Sequence, residues 1–155
     1  MKGLNPSGIE INFLTTKKSK INCLNKAKGF YWNPSNGDLY TDCFLGVDVI
    51  IHLAGASISK LWTSSYKKLI FSSRVDSTRL LFSRLKQIGS RQKIKQIISA
   101  SAVGIYPSDF EKTFSETAKV YPSIFMEEVV IAWENEVNSF DSINIKVTKM
   151  RIGLV

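Results

Sequence analysis

Val47-Asp48-Val49-Ile50-Ile51-His52-Leu53, followed at once by Ala54-Gly55-Ala56, is the stretch on which the fold turns. The run is almost continuously apolar and β-branched, without the alternation of a half-exposed strand, so it reads as a strand buried on both faces of a parallel sheet. The small residues that end it fit a tight turn from strand to helix.

Downstream, apolar residues recur at Leu69/Ile70, Val75, Leu80/Leu81, Leu85 and Ile88 with Lys and Arg between them. This spacing predicts a long amphipathic helix over Thr63 to Ile88, capped by Thr63 or Ser64 and ended by Gly89. Lys95 to Ser99, with Gln96-Ile97-Ile98, reads as the next buried strand and runs into Ser99-Ala100-Ser101-Ala102-Val103-Gly104, where small residues let a ligand approach the backbone. A second helix is expected over about Ser123 to Phe140 and a last strand over Ile145 to Arg151.

Upstream, Ile9 to Leu14 reads as a short strand entering the polar turn Thr15-Thr16-Lys17-Lys18. Gly29-Phe30-Tyr31-Trp32 reads as another, stopped by the turn residues Asn33-Pro34-Ser35-Asn36-Gly37-Asp38. Strands alternating with helices argue for right-handed crossovers and a doubly wound α/β sheet. At 155 residues and 44% hydrophobic composition the chain has room for one core, so a single domain over 1–155 is expected.

No run approaches the roughly 20 apolar residues of a membrane helix, and the N-terminus lacks a secretory pattern, so a soluble, cytoplasmic protein with no membrane partner is expected. Cys23 and Cys43 lack metal-ligand spacing, and with one histidine in the chain they form no zinc set; both thiols are expected to be reduced and structural. The excess of 21 Lys+Arg over 13 Asp+Glu, a net charge of +8, fits nucleic acid or an anionic nucleotide. The basic residues are dispersed, no nucleic-acid motif accompanies them, and a solvated basic surface is the simpler reading, so no nucleic-acid partner is expected.

In an open parallel sheet, ligands bind outside the carboxyl ends of the strands. After the first strand stand Lys17 and Lys18, where a cation can meet a ribose 2′-phosphate, or where two lysines are simply solvated. After the Val47–Leu53 strand, Leu53-Ala54-Gly55-Ala56 offers a flat surface for a dinucleotide, though a plain turn needs the same residues. After the next strand, Ser99 and Ser101 can hydrogen-bond a substrate oxygen, or equally satisfy nearby backbone.

These segments occur in one order with Leu61-Trp62-Thr63, Ser73-Arg74-Val75, Thr78-Arg79, Ile98 to Tyr106, Ala132-Trp133-Glu134 and Arg151-Ile152-Gly153-Leu154-Val155. The ordered set, over about Glu10 to Val155, resembles the epimerase family of atypical extended short-chain dehydrogenase/reductases, a branch of the NAD-dependent epimerase/dehydratases.

The resemblance implies a Rossmann-like fold binding NADP(H), with NAD(H) as the alternative. It implies cofactor contacts from Leu53, Ala54, Gly55, Ser99 and Ala100, with Ser101 at the catalytic serine position, polarising a substrate oxygen. Arg74 stands where the broader group has an Asn, and a phosphate contact, a helix-packing contact and an ordinary surface arginine stay open for it. The Tyr-x-x-x-Lys of ordinary members falls on Met126 and Val130, which cannot transfer a proton.

The chain also starts Met1-Lys2-Gly3-Leu4-Asn5-Pro6-Ser7-Gly8, where family members have a strand and Gly-x-x-Gly-x-x-Gly, and it ends at Leu154-Val155 where they continue. An incomplete sheet is therefore expected, with the first strand and glycine-rich loop missing. That strand is central in the order 3-2-1-4-5-6, so its loss would leave two neighbours unpaired. The expected function is an NAD(P)-binding, epimerase-like or oxidoreductase-like protein acting on an unknown small hydroxyl or carbonyl compound. The alternative is a non-catalytic nucleotide-binding or protein-interaction module.

Overall fold

The computed structural model describes residues 8–107, 109, 111–118 and 120–153. Expectations that rest on 1–7 and 154–155, the missing strand and glycine loop and the early stop, lie outside these residues. In chain order the strands are β1 (Asn12–Thr15), β2 (Lys28–Asn33), β3 (Asp38–Leu39), β4 (Val49–His52), β5 (Gln96–Ala102) and β6 (Lys146–Ile152). Helix α1 (Ser64–Ile88) joins β4 to β5, and α2 (Phe125–Asn138) lies between β5 and β6.

The strands form two separate three-stranded sheets, ordered β1-β2-β3 and β4-β5-β6. β1 pairs with β2 in parallel, and β4, β5 and β6 are parallel throughout, as the alternation predicts. The two-residue β3 adds an antiparallel hairpin to β2 that the sequence reading had taken only as a turn. Among the described residues no strand lies between β1 and β4, so each keeps one unpaired edge.

Helix α1 follows its sequence signals closely. The Thr63 side chain accepts the Tyr66 N–H at 3.2 Å, and Gly89 ends the helix at φ +59°, where a side chain would be strained. Helix α2 is shorter than expected, because its last turn tightens into a 3-10 segment over Ser139–Ile143. At its start Glu127 reaches back to accept from the Ser123 and Ile124 N–H groups, which would otherwise lack partners.

The core lies between the two helices and one face of the sheets: Val75, Leu81 and Leu85 of α1, Ile97 of β5, Trp133 and Val137 of α2, with Trp32, Leu39 and Phe44 from the first half. The register places Ile50, Ile97 and Val147 in one row on this face. The opposite face corrects the expectation of a doubly buried strand: Val49 is 43% and Ile51 56% exposed, and Met150 and Ile152 are half exposed beside them. An apolar run sets which side chains can be buried, whereas coverage depends on what else packs there.

β5 also runs to Ala102, so Ser99, Ala100 and Ser101 lie inside the strand and not in a loop after it. Cys43 is buried as expected, but Cys23 is exposed, so it is not a core residue.

Of β4, β5 and β6, β5 is the one flanked on both sides, by β4 over Gln96–Ser99 and by β6 along its whole length. In native-state hydrogen exchange its amides from Ile97 to Ser99 should be the slowest of the strands, and those of β1 and β4 should exchange much faster because each has an open edge. Equal protection across β4 and β5 would contradict the divided sheet.

Candidate functional site

At their carboxyl ends the two sheets part around a cavity of about 560 Å³. Leu14, Thr15 and Thr16 from the end of β1, Trp32 and Asn33 from the end of β2, and Ala54, Gly55 and Ala56 after β4 line it, with Ser72, Ser73, Asp76 and Ser77 of α1 opposite. Its walls are therefore partly apolar and partly hydroxyl-bearing.

The loop after β4 is fastened to α1 by its own backbone. The Ala56 N–H donates to Ser73 Oγ at 2.9 Å, Tyr66 Oη donates to the Ser57 carbonyl at 2.6 Å, and Arg74 Nη2 donates to the Ala56 carbonyl at 3.2 Å. A Cβ on Gly55 would lie 3.1–3.3 Å from three atoms of the Arg74 guanidinium, so a side chain there would press directly on that group.

On the helix-covered face of β4-β5-β6 the apolar row gives way to polar residues toward the strand ends. His52 and Ser99 sit opposite each other, and Ser101 is opposite Arg151. His52 Nε2 lies 3.0 Å from Thr78 Oγ1, whose single proton is already donated to the Arg74 carbonyl at 2.6 Å. The ring nitrogen is therefore the donor, which fixes the Nε2–H tautomer. Burial, with no carboxylate to offset it, lowers the His52 pKa to about 4.

Ser101 Oγ donates to Glu134 Oε1 at 2.6 Å. The same carboxylate accepts from Arg151 Nε and Nη2, both at 2.9 Å, and lies 3.3 Å from Lys149 Nζ. Burial alone would raise the Glu134 carboxyl, but the bonds from Arg151 and Ser101 and the charge of Lys149 outweigh it and hold the group at about 2. Arg151 in turn is held above its ordinary value by that carboxylate. Its Nη1 donates to Tyr106 Oη at 2.5 Å, and Tyr106 stacks on Phe114 with ring centroids 5.3 Å apart.

Of the residues singled out in the sequence, Ala54 and Gly55 line the cavity and Leu53 is exposed just before them. Lys17 and Lys18 are exposed at the end of β1 and are not among the lining residues; Lys18 Nζ lies over the Tyr31 ring, 5.1 Å from its centroid. Ser99 is fully buried with its hydroxyl on the Ala100 carbonyl, and Ala100 points to the other face. Ser101 faces α2, its hydroxyl already a donor, so its lone pairs are what it can offer a further group. Val130 is fully buried, and Met126 is half-buried.

Sequence reasoning gave no role to Glu134 or Arg151, although both lie in quoted segments. The signal was a buried-pattern acid on α2 and a base on the last strand, but their sequence separation of 17 has no regular spacing to betray it.

Comparison with known proteins gives a consistent answer. The family model described as the NAD dependent epimerase/dehydratase family matches residues 2–148. An epimerase family protein of Staphylococcus saprophyticus is 38% identical over 109 residues, covering 70% of this chain and 36% of the relative. One from Staphylococcus aureus is 36% identical over 110 residues with the same coverage. The chain thus spans about a third of the length of the curated relatives it matches.

Among solved structures, a nucleoside-diphosphate sugar epimerase of Corynebacterium glutamicum matches with TM-score 0.65 at 23% identity, over 92% of this chain and 33% of that one. A human epimerase family protein with NADPH matches with TM-score 0.64 at 19% identity, over 83% and 41%. UDP-glucuronic acid 4-epimerase of Bacillus cereus in complex with NAD matches with TM-score 0.66 at 17% identity, over 87% and 41%. At these identities the structural likenesses establish the fold, a Rossmann-like one.

Two outcomes follow from the buried groups. The unfolded chain takes up a proton on His52 near pH 6.5 while the folded state resists until about pH 4. Stability should therefore be full above pH 6.5 and fall by about 3 kcal/mol as pH drops to 4, measured by urea unfolding, and the slope should flatten in His52→Gln. Removing the negative charge in Glu134→Gln leaves Arg151 and Lys149 without their counter-ion, and should lower unfolding free energy at pH 7 by about 3 kcal/mol.

Proposed function

Because this chain belongs to the NAD dependent epimerase/dehydratase family, we propose that it is the nucleotide-binding part of an epimerase-like protein, taking NADP(H), or NAD(H), across the strand ends and acting on a hydroxyl or carbonyl of a small molecule. The observation that carries this reading is the cavity between the two sheets, floored by Ala54-Gly55-Ala56 and opening where the strands of a doubly wound fold end. Trp32, Leu14 and Ala54 give an apolar wall for a base, and Thr15, Thr16 and Ser73 give hydroxyls for a ribose.

In this reading Leu53, Ala54 and Gly55 contact the adenosine end, Lys17 and Lys18 meet a 2′-phosphate from the rim, and Ser99 and Ala100 back the cofactor from β5. Ser101 meets a substrate oxygen. Its hydroxyl donates its hydrogen bond to Glu134, so it serves as an acceptor that orients a substrate hydroxyl, and it becomes a donor to substrate only by leaving the carboxylate. The cofactor supplies hydride transfer; the chain supplies binding and orientation.

A second reading is a non-catalytic nucleotide-binding or protein-interaction module. One observation favours it: Met126 and the fully buried Val130 stand where the resemblance expects a proton-transferring tyrosine and its lysine.

The test is titration with NADPH and NADH, followed by tryptophan fluorescence and thermal unfolding. NADPH should quench the signal of Trp32 saturably and raise the melting temperature by several degrees, as ligand binding to the folded state requires. Replacing Lys17 and Lys18 by Ala should weaken NADPH about fivefold and leave NADH unchanged. No response to either nucleotide would overturn the reading. Nucleotide binding with hydride transfer lost in Ser101→Ala would support the enzyme, and binding without any hydride transfer would support the module.

A further inference from the structure

One wall of the cavity is a single stripe of α1. Leu69, Ser72, Ser73, Asp76 and Ser77 line it, at successive steps of three, one, three and one residues, the spacing that puts side chains on one face of a helix. The hydrogens of its serines are spent on the helix itself. Ser72 Oγ donates to the Leu69 carbonyl at 3.4 Å, Ser73 Oγ to the Ile70 carbonyl at 3.1 Å and Ser77 Oγ to the Ser73 carbonyl at 2.7 Å. What these hydroxyls can offer a ligand is therefore lone pairs.

Asp76 is the one charged residue among those that line the cavity. Its Oδ1 lies 3.3 Å from Arg79 Nη1, but that guanidinium also donates to Glu136 through Nε and Nη2. One cation thus serves two carboxylates, and the group keeps a net negative charge. The other oxygen of Asp76 has no partner among the described residues. Lys17 and Lys18 lie outside the lining, and Lys18 Nζ sits over Tyr31, which points to the opposite face of β2 from the cavity-lining Trp32. A wall of lone pairs with one carboxylate pairs with hydrogen-bond donors. The vicinal hydroxyls of a ribose supply two donors side by side, whereas a phosphoryl group brings only acceptors and like charge.

We propose that Asp76 is the specificity-determining residue of this cavity: it accepts the 2′-hydroxyl hydrogen of an adenosine ribose and turns away a phosphoryl group at that position. The inference rests on the nucleotide-binding reading and chooses between its two cofactors, in favour of NAD(H). The rim lysines pull the other way, so a 2′-phosphate loses more at Asp76 than it gains at Lys17 and Lys18.

The experiment uses the full chain with adenosine 5′-monophosphate and adenosine 2′-monophosphate. These isomers carry equal charge, so attraction to the basic protein as a whole cancels in their ratio. Binding is followed by calorimetry, and the site is located by amide shifts of Thr16, Ala56 and Ser73 in a proton–nitrogen spectrum. The wild type should bind the 5′-isomer about tenfold more tightly than the 2′-isomer. Asp76→Asn keeps the shape of the side chain and removes its charge, and it should narrow that ratio to about twofold, mainly by strengthening the 2′-isomer. NADH and NADPH should change in the same sense. The only ion pair lost is an exposed one within a helix, so the melting temperature should stay within a few degrees.

A wild type that takes the 2′-isomer as tightly as the 5′-isomer overturns the proposal, as does a ratio unmoved by Asp76→Asn or a ligand that shifts none of the three amides. The wild-type ratio decides even where the variant does not fold. NADH and NADPH bound equally well by wild type and variant leave the dinucleotide reading standing and remove this one. An Asp76-dependent preference among the monophosphates, with no binding of either dinucleotide, does the reverse.

Discussion

The carboxylate of Glu134 joins three elements in one place. It is carried by α2, receives a proton donor from β5 through Ser101, and is neutralised by Arg151 and Lys149 of β6. A charge this deep is tolerable only if every lone pair is met, so the arrangement fixes geometry as well as energy. A one-residue slip of β6 against β5 would turn Arg151 to the open face and leave the acid bare. Since Glu134 sets the rotation of α2, it also sets where its neighbour Trp133 presents its ring, and so where Arg74 and the wall of the cavity come to lie.

The two halves of the molecule contribute unlike things to that cavity. The β4-α1-β5-α2-β6 half brings the tight loop, the hydroxyls of α1 and the buried charge network. The β1-β2-β3 half brings Leu14, the threonines and Trp32, and is anchored through core contacts of Trp32, Leu39 and Phe44 and by Arg84 Nη2 donating to the Gly37 carbonyl at 2.7 Å. With no ladder between the sheets among the described residues, side-chain packing onto α1 carries their relative placement.

How much of this the sequence discloses depends on whether a feature is local. The cap at Thr63, the stop at Gly89 and the spacing of α1 are written in adjacent residues, and the structure follows them nearly to the residue. The extent of β5 is not, because Ser99-Ala100-Ser101-Ala102 has little strand propensity of its own; β4 pairs with it only as far as Ser99, and beyond that it is held extended by β6. The uncovered face of β4 is equally invisible, since apolar periodicity cannot tell a covered face from a bare one. Of the candidate site, the loop Ala54-Gly55-Ala56 and Ser101 could be singled out from motif order. The partnership of Ser101 with Glu134 and Arg151, and the meeting of Arg74 with Trp133, join residues from separate elements and needed the fold.

The bare side of β4 bears on how the protein behaves in a crowd of its own copies. Its outer rungs are unpaired among the described residues and its outward side chains are aliphatic, the combination from which edge-to-edge aggregation begins. Two features resist it: the ion pair of Lys95 with Asp48 at 3.1 Å guards the start of the strand, and the net charge of +8 makes copies repel one another. Repulsion of that kind is screened over about 8 Å at physiological ionic strength. Added salt therefore weakens the barrier to strand docking while leaving the apolar attraction intact, so colloidal behaviour and ionic strength are linked through the exposed side of β4.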